Sequence, residues 1–392
     1  MTELICPLVY NGIATDPSGG YRPCCRFHTK DSFRGPLEEY RSSKIWKGIE
    51  NDFLNNKWPV GCFDCEKNEQ RSGSSKRIRE LKNYKSKHKK EATIIDLQTK
   101  KYDLVDLRLS NKCNLGCMSC NPKSSSLIHD EVKNTDLPHM KHYENIYAWA
   151  KTKNLTTPYD DNEVDKLFES IDASSRIYFT GGEPSIVKGA LKMLQRLIDS
   201  GLNKTVKLEF NSNFQTNNPK FIDLLSHFEQ DCLMMPSIDA IGSKAEYIRY
   251  PSNWKQIEKN LQLFKEKCPS WNLRFSPTIS ILNVFYLHEL AEYCEKNNFN
   301  YRIENILLHP DYFNVVNLPN KSKMKATEIN KNVKGFDVVE KYMWSQPTSY
   351  QRLSACRTNI KKADLIRNRN YKEELPELQE VFKSLNHLYK RK

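Results

Sequence analysis

Three cysteines fall within eight residues in CNLGCMSC, residues 113 to 120, at the spacing C-x3-C-x2-C. An odd set of thiols leaves one unpaired if disulfides are drawn, and the opening MTELICPLVY lacks the basic start and apolar stretch of a secretory leader. Three soft thiolates on one short loop suit a metal or an iron-sulfur cluster instead, one ligand short of the usual four. In a cubane, three thiolates hold three irons and leave the fourth open to a small molecule. A second polar motif is TGGEP, residues 180 to 184, whose glycines let backbone approach a ligand while Glu183 offers an acceptor to a cationic amine. Eight of the twelve cysteines lie in the first 120 residues; besides the trio these are Cys6, Cys24, Cys25, Cys62 and Cys65. Two ligands from the C-x2-C pair of Cys62 and Cys65 plus two remote ones complete a four-thiolate site, for which zinc and a cluster are both chemically suitable. Cys232, Cys268 and Cys294 lie within strand or helix periods and read as core thiols, while Cys356 fits either reading.

The elements that must position these groups alternate from Asp103 onward. Strand-like periods occur at 102 to 110, 176 to 182, 205 to 213, 232 to 241, 272 to 281 and 300 to 308, separated by amphipathic stretches such as VKGALKMLQRLIDSG, which Gly201 terminates. Strands separated by helices require crossover connections and hence a parallel sheet. Six such units are too few for an eightfold barrel, so the expected fold is α/β, an open, partial (β/α)6 barrel. In parallel α/β folds the reactive face lies at the C-terminal strand ends, where Cys113, Cys117 and Cys120 follow the first strand and GGEP the second. A polar insertion spans residues 121 to 161, and after Pro310 the chain becomes a charged, helical tail. The expected domains are a cysteine-rich module at 1–80, a basic linker at 81–102, the core at 103–310 and a helical extension at 311–392.

CNLGCMSC followed by a strand ending in GGEP resembles the radical S-adenosylmethionine enzymes over roughly residues 103 to 310. The resemblance implies that Cys113, Cys117 and Cys120 carry a [4Fe-4S] cluster whose open iron chelates S-adenosylmethionine, and that a 5′-deoxyadenosyl radical then takes hydrogen from a substrate. It further implies that Gly181, Gly182 and Glu183 hold the methionine amine, that Ser212 and Asn213 of FNSN face the cofactor, and that Ser237 of SID and Arg249 of YIRY meet the carboxylate. The stretch from Cys6 to Arg77 resembles the SPASM and twitch modules of these enzymes in PCC, in KIW and in C-x2-C followed by Glu69, Gly73 and Ser75. Here the module precedes the core rather than following it, and its five cysteines allow one auxiliary [4Fe-4S] cluster, on Cys6, Cys62, Cys65 and Cys24 or Cys25, with Cys24 preferred. The tail pattern DLIRN with a later LPEL is similar to twitch-domain radical proteins of tailed phages. The implied function is radical modification of a peptide, a protein side chain or a related small molecule, with an electron donor such as flavodoxin or ferredoxin.

The chain of 392 residues with 38% hydrophobic content can bury a sizeable core, and no apolar run approaches the roughly 20 residues of a membrane span, so a cytoplasmic protein is expected. The formal charge of +13 peaks in residues 76 to 101. That basic segment motivates two alternatives: RNA or nucleotide modification by the same chemistry, and a non-catalytic iron-sulfur scaffold that binds nucleic acid. Neither is favoured, since Tyr84 is the only aromatic in the segment and a scaffold needs neither an open iron nor a cofactor-amine acceptor.

Overall fold

The computed structural model describes residues 4–28, 32–93, 97, 101–216 and 218–389; parts of the expected basic linker (94–96 and 98–100), of the module (1–3 and 29–31) and of the tail (390–392) lie outside them. The chain forms two compact units, one of Met1–Asn111, Asn154–Phe210 and Asp223–Cys232, the other of Lys112–Lys153, Asn211–Ile222 and Leu233–Lys392.

In the first unit, strands β1 (Gly12–Asp16) and β2 (Gly20–Arg22) form an antiparallel hairpin. β1 then pairs in parallel with β3 (Leu104–Leu107), Gly12 opposite Leu104. β3 is followed in the parallel run by β4 (Arg176–Phe179) and by β5 (Lys207–Ser212), which continues into the second unit at Asn211. Period-2 alternation sends Val105, Leu107, Ile177, Phe179, Leu208 and Phe210 to one buried face, where Phe179 and Phe210 stack with centroids 4.3 Å apart. Polar Asp106, Tyr178 and Glu209 alternate with them on the other face. The helix Lys188–Asp199 buries Ala190, Met193, Leu194 and Leu197, the Met and Leu side chains each worth about 1.5–3 kcal/mol. Gly201, at φ +75°, takes the left-handed conformation that stops it.

The second unit carries β6 (Leu233–Pro236), β7 (Asn272–Phe275) and β8 (Asn300–Tyr301), again mutually parallel. Its core joins Ile279, Ile281 and Phe285 to Leu353, Cys356, Ile360 and Phe382 of the tail, so the C-terminal helices are part of the hydrophobic core rather than an appendage.

All six strands expected between residues 102 and 308 form, giving an α/β protein whose eight strands are mostly parallel. β1 and β2 were not expected; β1 is buried at every position and β2 is only three residues long, so neither shows an alternating period. The basic segment begins as a helix, Lys76–His88, and the insertion holds two helices, Ser126–Lys133 and Lys141–Ala150. Cys232, Cys268, Cys294 and Cys356 are all buried. No helix among the described residues is long and apolar enough to cross a membrane.

Candidate metal and cofactor site

The trio lies in the second unit on a loop whose backbone is tied down at nearly every residue. The N–H of Gly116 donates to Tyr250 O at 2.5 Å, that of Met118 to Ile248 O at 2.9 Å, and that of Cys120 to Cys117 O at 3.0 Å. Cys113 N–H donates to Ser126 Oγ at 3.1 Å, and Ser125 Oγ donates to Leu115 O at 2.6 Å. Ser125 also caps the helix Ser126–Lys133, so the segment after the trio both ends the loop and fixes it. Burial raises the thiols of Cys117 and Cys120, the latter to about 12 with Cys117 adding to it. Ligation therefore releases protons from this loop.

Arg249 reaches this loop from the end of the helix Gly242–Ile248. Its Nε is 2.8 Å from Asp239 Oδ2 and its Nη1 lies 3.8 Å from Cys117 Sγ. Burial opposes the guanidinium's charge, but Asp239 and Cys117 more than offset it. Asp239 is itself buried and accepts the Thr278 N–H at 2.7 Å. Ser237 N–H donates to Ser212 O at 2.7 Å, and Asn213 Nδ2 donates to Asn114 Oδ1 at 2.8 Å, which links the FNSN turn to the cysteine loop. One unit thus brings together Cys113, Cys117, Cys120, Ser212, Asn213, Ser237 and Arg249.

Gly181, Gly182 and Glu183 belong to the first unit. Both glycines have positive φ, +76° and +56°, and a Cβ on Gly181 would sit 3.0 Å from Arg108 Cβ. Glu183 is 1% exposed and its Oε1 accepts the Ser185 N–H at 3.1 Å.

The N-terminal cysteines are also in the first unit, on three separated segments. Cys6 precedes the helix Pro7–Asn11, Cys24 and Cys25 follow β2, and Cys62 and Cys65 open the helix Phe63–Ser72. Glu69, Ser75 and Arg77 tie the Cys62 helix to the Cys6 segment: Arg77 Nε donates to Glu69 Oε1 at 3.0 Å, Ser75 Oγ to the same oxygen at 2.5 Å, and Arg77 Nη1 to Ile5 O at 2.8 Å. Gly73, at φ +64°, ends the helix so that the chain can turn back. Gly61 has no room for a Cβ, which would lie 2.4 Å from the Phe27 ring, and its carbonyl accepts the His28 N–H at 2.9 Å. That contact closes the Cys24 loop onto the Cys62 turn. Burial pushes Cys6 up to about 12, with Cys65 adding to the shift. Cys62 is raised by burial and then by Cys6, Cys24 and Cys65, and Cys24 by burial, Cys25 and Cys6. Cys25 instead accepts a hydrogen bond from Lys76 Nζ at 3.1 Å.

Among the described residues no three Cys, His, Asp or Glu side chains stand close enough to hold one metal ion. The thiolates of a cubane each take a different iron and are spread more widely than the ligands of a single ion, and a soft, sulfur-only donor set is what such a cluster asks for. The sets fit the group in that sense.

Sequence reasoning missed Asp239, Lys76, Glu131, Tyr143 and Arg367. For Arg367 a signal exists: Leu353, Cys356, Ile360, Ala363 and Arg367 follow a 3-4-3-4 spacing, so the arginine continues an apolar stripe. The others carry no pattern of their own.

No family model matches the chain, and no curated protein matches it. Among solved structures it is similar to native anSMEcpe with bound AdoMet, at 14% identity and TM-score 0.40 over 63% of this chain and 62% of that one. It is also similar to Streptococcus suis SuiB bound to S-adenosylmethionine, at 12% identity and TM-score 0.36 over 82% and 66% of the two chains. The corresponding values for Streptococcus suis SuiB bound to precursor peptide SuiA are 14%, 0.36, 76% and 60%. The chain thus spans 62% of the length of the first of these, and likeness of this degree carries neither family nor activity across.

Proposed function

We propose that the protein is a radical S-adenosylmethionine enzyme with one auxiliary cluster, acting on a peptide, a protein side chain or a related small molecule. The observation that carries this reading is the cysteine loop itself: three thiols at C-x3-C-x2-C on a backbone anchored at most of its residues, with the Asp239-held guanidinium of Arg249 3.8 Å from Cys117 Sγ. When bound, a [4Fe-4S] cluster on Cys113, Cys117 and Cys120 supplies the electron that cleaves S-adenosylmethionine to the radical that takes the substrate's hydrogen.

The chain's own residues bind and orient. Arg249, fixed in direction by Asp239, is suited to meet the methionine carboxylate, for which a guanidinium fork is well shaped. Ser237, Ser212 and Asn213 offer polar atoms in the same unit. Gly181 and Gly182 let backbone approach the cofactor, and Glu183 receives the amine. In the first unit, Cys6, Cys24, Cys62 and Cys65 hold the auxiliary [4Fe-4S] cluster, a choice supported by the influence of Cys6, Cys24 and Cys65 on Cys62 and by the bond that directs Cys25 to Lys76. A donor such as flavodoxin or ferredoxin supplies electrons.

Anaerobic reconstitution followed by reduction with dithionite tests the reading. The parent protein is expected to form 5′-deoxyadenosine slowly without substrate, and faster with the correct one, carrying deuterium when that substrate is labelled. No 5′-deoxyadenosine from a fully reconstituted, reduced parent in the presence of peptide, metabolite and RNA panels would overturn it.

A further inference from the structure

Arg367 closes the helix Tyr350–Arg367, and its side chain is 3% exposed. Burying a guanidinium is costly unless it is paired and hydrogen-bonded, and here it is both. Nε lies 3.1 Å from Glu131 Oε2, Nη2 3.3 Å from Glu131 Oε1 and 3.2 Å from Tyr143 Oη, and Nη1 3.5 Å from Met118 Sδ. The Tyr250 ring covers the guanidinium with its centroid 5.1 Å away.

These partners converge on one place. Tyr143 Oη donates to the Cys117 carbonyl at 2.9 Å, and a Cβ added to Gly116 would come within 3.1 Å of Arg367 Nη2. The guanidinium therefore reaches residues 116 and 118 directly and Cys117 through a single hydroxyl. Arg249 stands on Cys117 as well, 3.8 Å from its sulfur. An apolar side chain would complete the stripe of Leu353, Cys356, Ile360 and Ala363; an arginine adds a fixed positive charge to the packing.

We propose that Arg367 is the positioning residue of the cysteine loop, and that with Arg249 it brackets Cys117 between two buried guanidiniums that raise the reduction potential of the cluster held there. The second half rests on the cluster assigned above; the first does not. Adding an electron adds negative charge to the loop, and a guanidinium nearby in a low-dielectric interior favours the reduced form; Glu131 and Asp239, paired with Arg367 and Arg249, offset part of that effect, and the Arg367→Gln shift reads what remains.

The test uses Arg367→Lys, Arg367→Gln and Tyr143→Phe in the full chain. In metal-free protein, alkylation of Cys113, Cys117 and Cys120 is followed by mass spectrometry, with buried Cys356 on the arginine's own helix reporting any general unfolding. All three variants are expected to speed alkylation of the trio by about tenfold while Cys356 stays protected, tenfold being the effect of losing roughly 1.4 kcal/mol of anchoring. Where Cys356 reacts too, Tyr143→Phe, which leaves the arginine in place, decides the question.

After reconstitution, the midpoint potential of the trio's cluster is read by spectroscopic titration. Arg367→Gln should lower it by about 59 mV, a tenfold change in a one-electron equilibrium, whereas Arg367→Lys and Tyr143→Phe should shift it far less. Unchanged alkylation would overturn the positioning role. Equal potentials in the parent and Arg367→Gln would overturn the tuning role. If the parent takes up no cluster on the trio, the proposed function and the tuning role fail together, while the alkylation result still decides the positioning role.

Discussion

The two thiol sets are assembled in opposite ways. Cys113, Cys117 and Cys120 come from one loop, and local hydrogen bonds from residues 113 to 126 define much of its shape before distant residues such as Tyr250 and Arg367 add theirs. Cys6, Cys24, Cys62 and Cys65 come from segments that only tertiary contacts gather, chief among them the Glu69–Ser75–Arg77 network and the closure of Gly61 on His28. A local site is written in its spacing; a gathered one is written in the residues that gather it, which need not be ligands.

The largest expected effect separates the sets outright. The Cys113→Ala, Cys117→Ala, Cys120→Ala triple variant should abolish 5′-deoxyadenosine formation and lower iron from about eight atoms per chain to about four, measured by metal analysis. If the variant lost all its iron while the N-terminal set held zinc, the auxiliary cluster would be refuted. Next in size is the choice within CC. Cys24→Ser should remove the N-terminal iron and leave about four atoms, whereas Cys25→Ser, which still offers Lys76 an acceptor, should retain it. The reverse pattern of iron loss would exchange their roles.

A smaller effect is expected at Glu183. Glu183→Ala should leave both clusters spectroscopically present and weaken S-adenosylmethionine binding by about tenfold to a hundredfold, the equivalent of about 1.5 to 3 kcal/mol for one charge-assisted hydrogen bond. Glu183→Gln, which can still accept the Ser185 N–H, separates loss of charge from loss of the turn. Equal 5′-deoxyadenosine formation by parent and Glu183→Ala across a cofactor titration would remove Glu183 from the site. The smallest effect is expected on the helix Lys76–His88 and just beyond it. Charge reversal at Lys85, Lys87, Lys89 and Lys90 breaks the exposed pairs of Lys85 with Glu91 and of Lys87 with Asp103, the latter at 2.7 Å. Stability should fall by about 1 kcal/mol or less, and catalysis should persist. RNA binding should be weak and strongly salt-dependent in the parent; tight binding that survives high salt and disappears with the reversal would favour RNA modification instead.

Much of this was legible in advance because it rests on local periodicity. Period-2 runs such as RIYF gave β4, and the 3.6-residue period of KGALKMLQRLID gave its following helix. β1 and β2 were not legible: GIATD lies fully buried, so it shows no alternation of exposed and buried positions, and GYR is only three residues long. The trio could be singled out by its C-x3-C-x2-C spacing, whereas Ser212 and Asn213 of FNSN, Ser237 of SID and Arg249 of YIRY were singled out only by their resemblance to radical S-adenosylmethionine enzymes. Asp239 was passed over beside Ser237, although it is Asp239 that orients Arg249. Lys76 looked like one more charge in a basic run until the fold set its ammonium against Cys25. Side chains that act through another residue leave no spacing of their own in the sequence.

The pairing of β1 with β3, Gly12 opposite Leu104, also has a consequence for how the protein is made. Synthesis delivers Gly12 first, yet its neighbour arrives only some ninety residues later, when Cys6, Cys24, Cys25, Cys62 and Cys65 have all been polymerised. Until then the nascent hairpin of β1 and β2 presents an open hydrogen-bonding edge beside five reduced thiols, a state prone to mispairing. Closure of that edge is a non-local event and correspondingly slow. Loading of the cluster proposed for the N-terminal set should therefore follow release of the first 107 residues from the ribosome rather than accompany translation of the cysteines themselves.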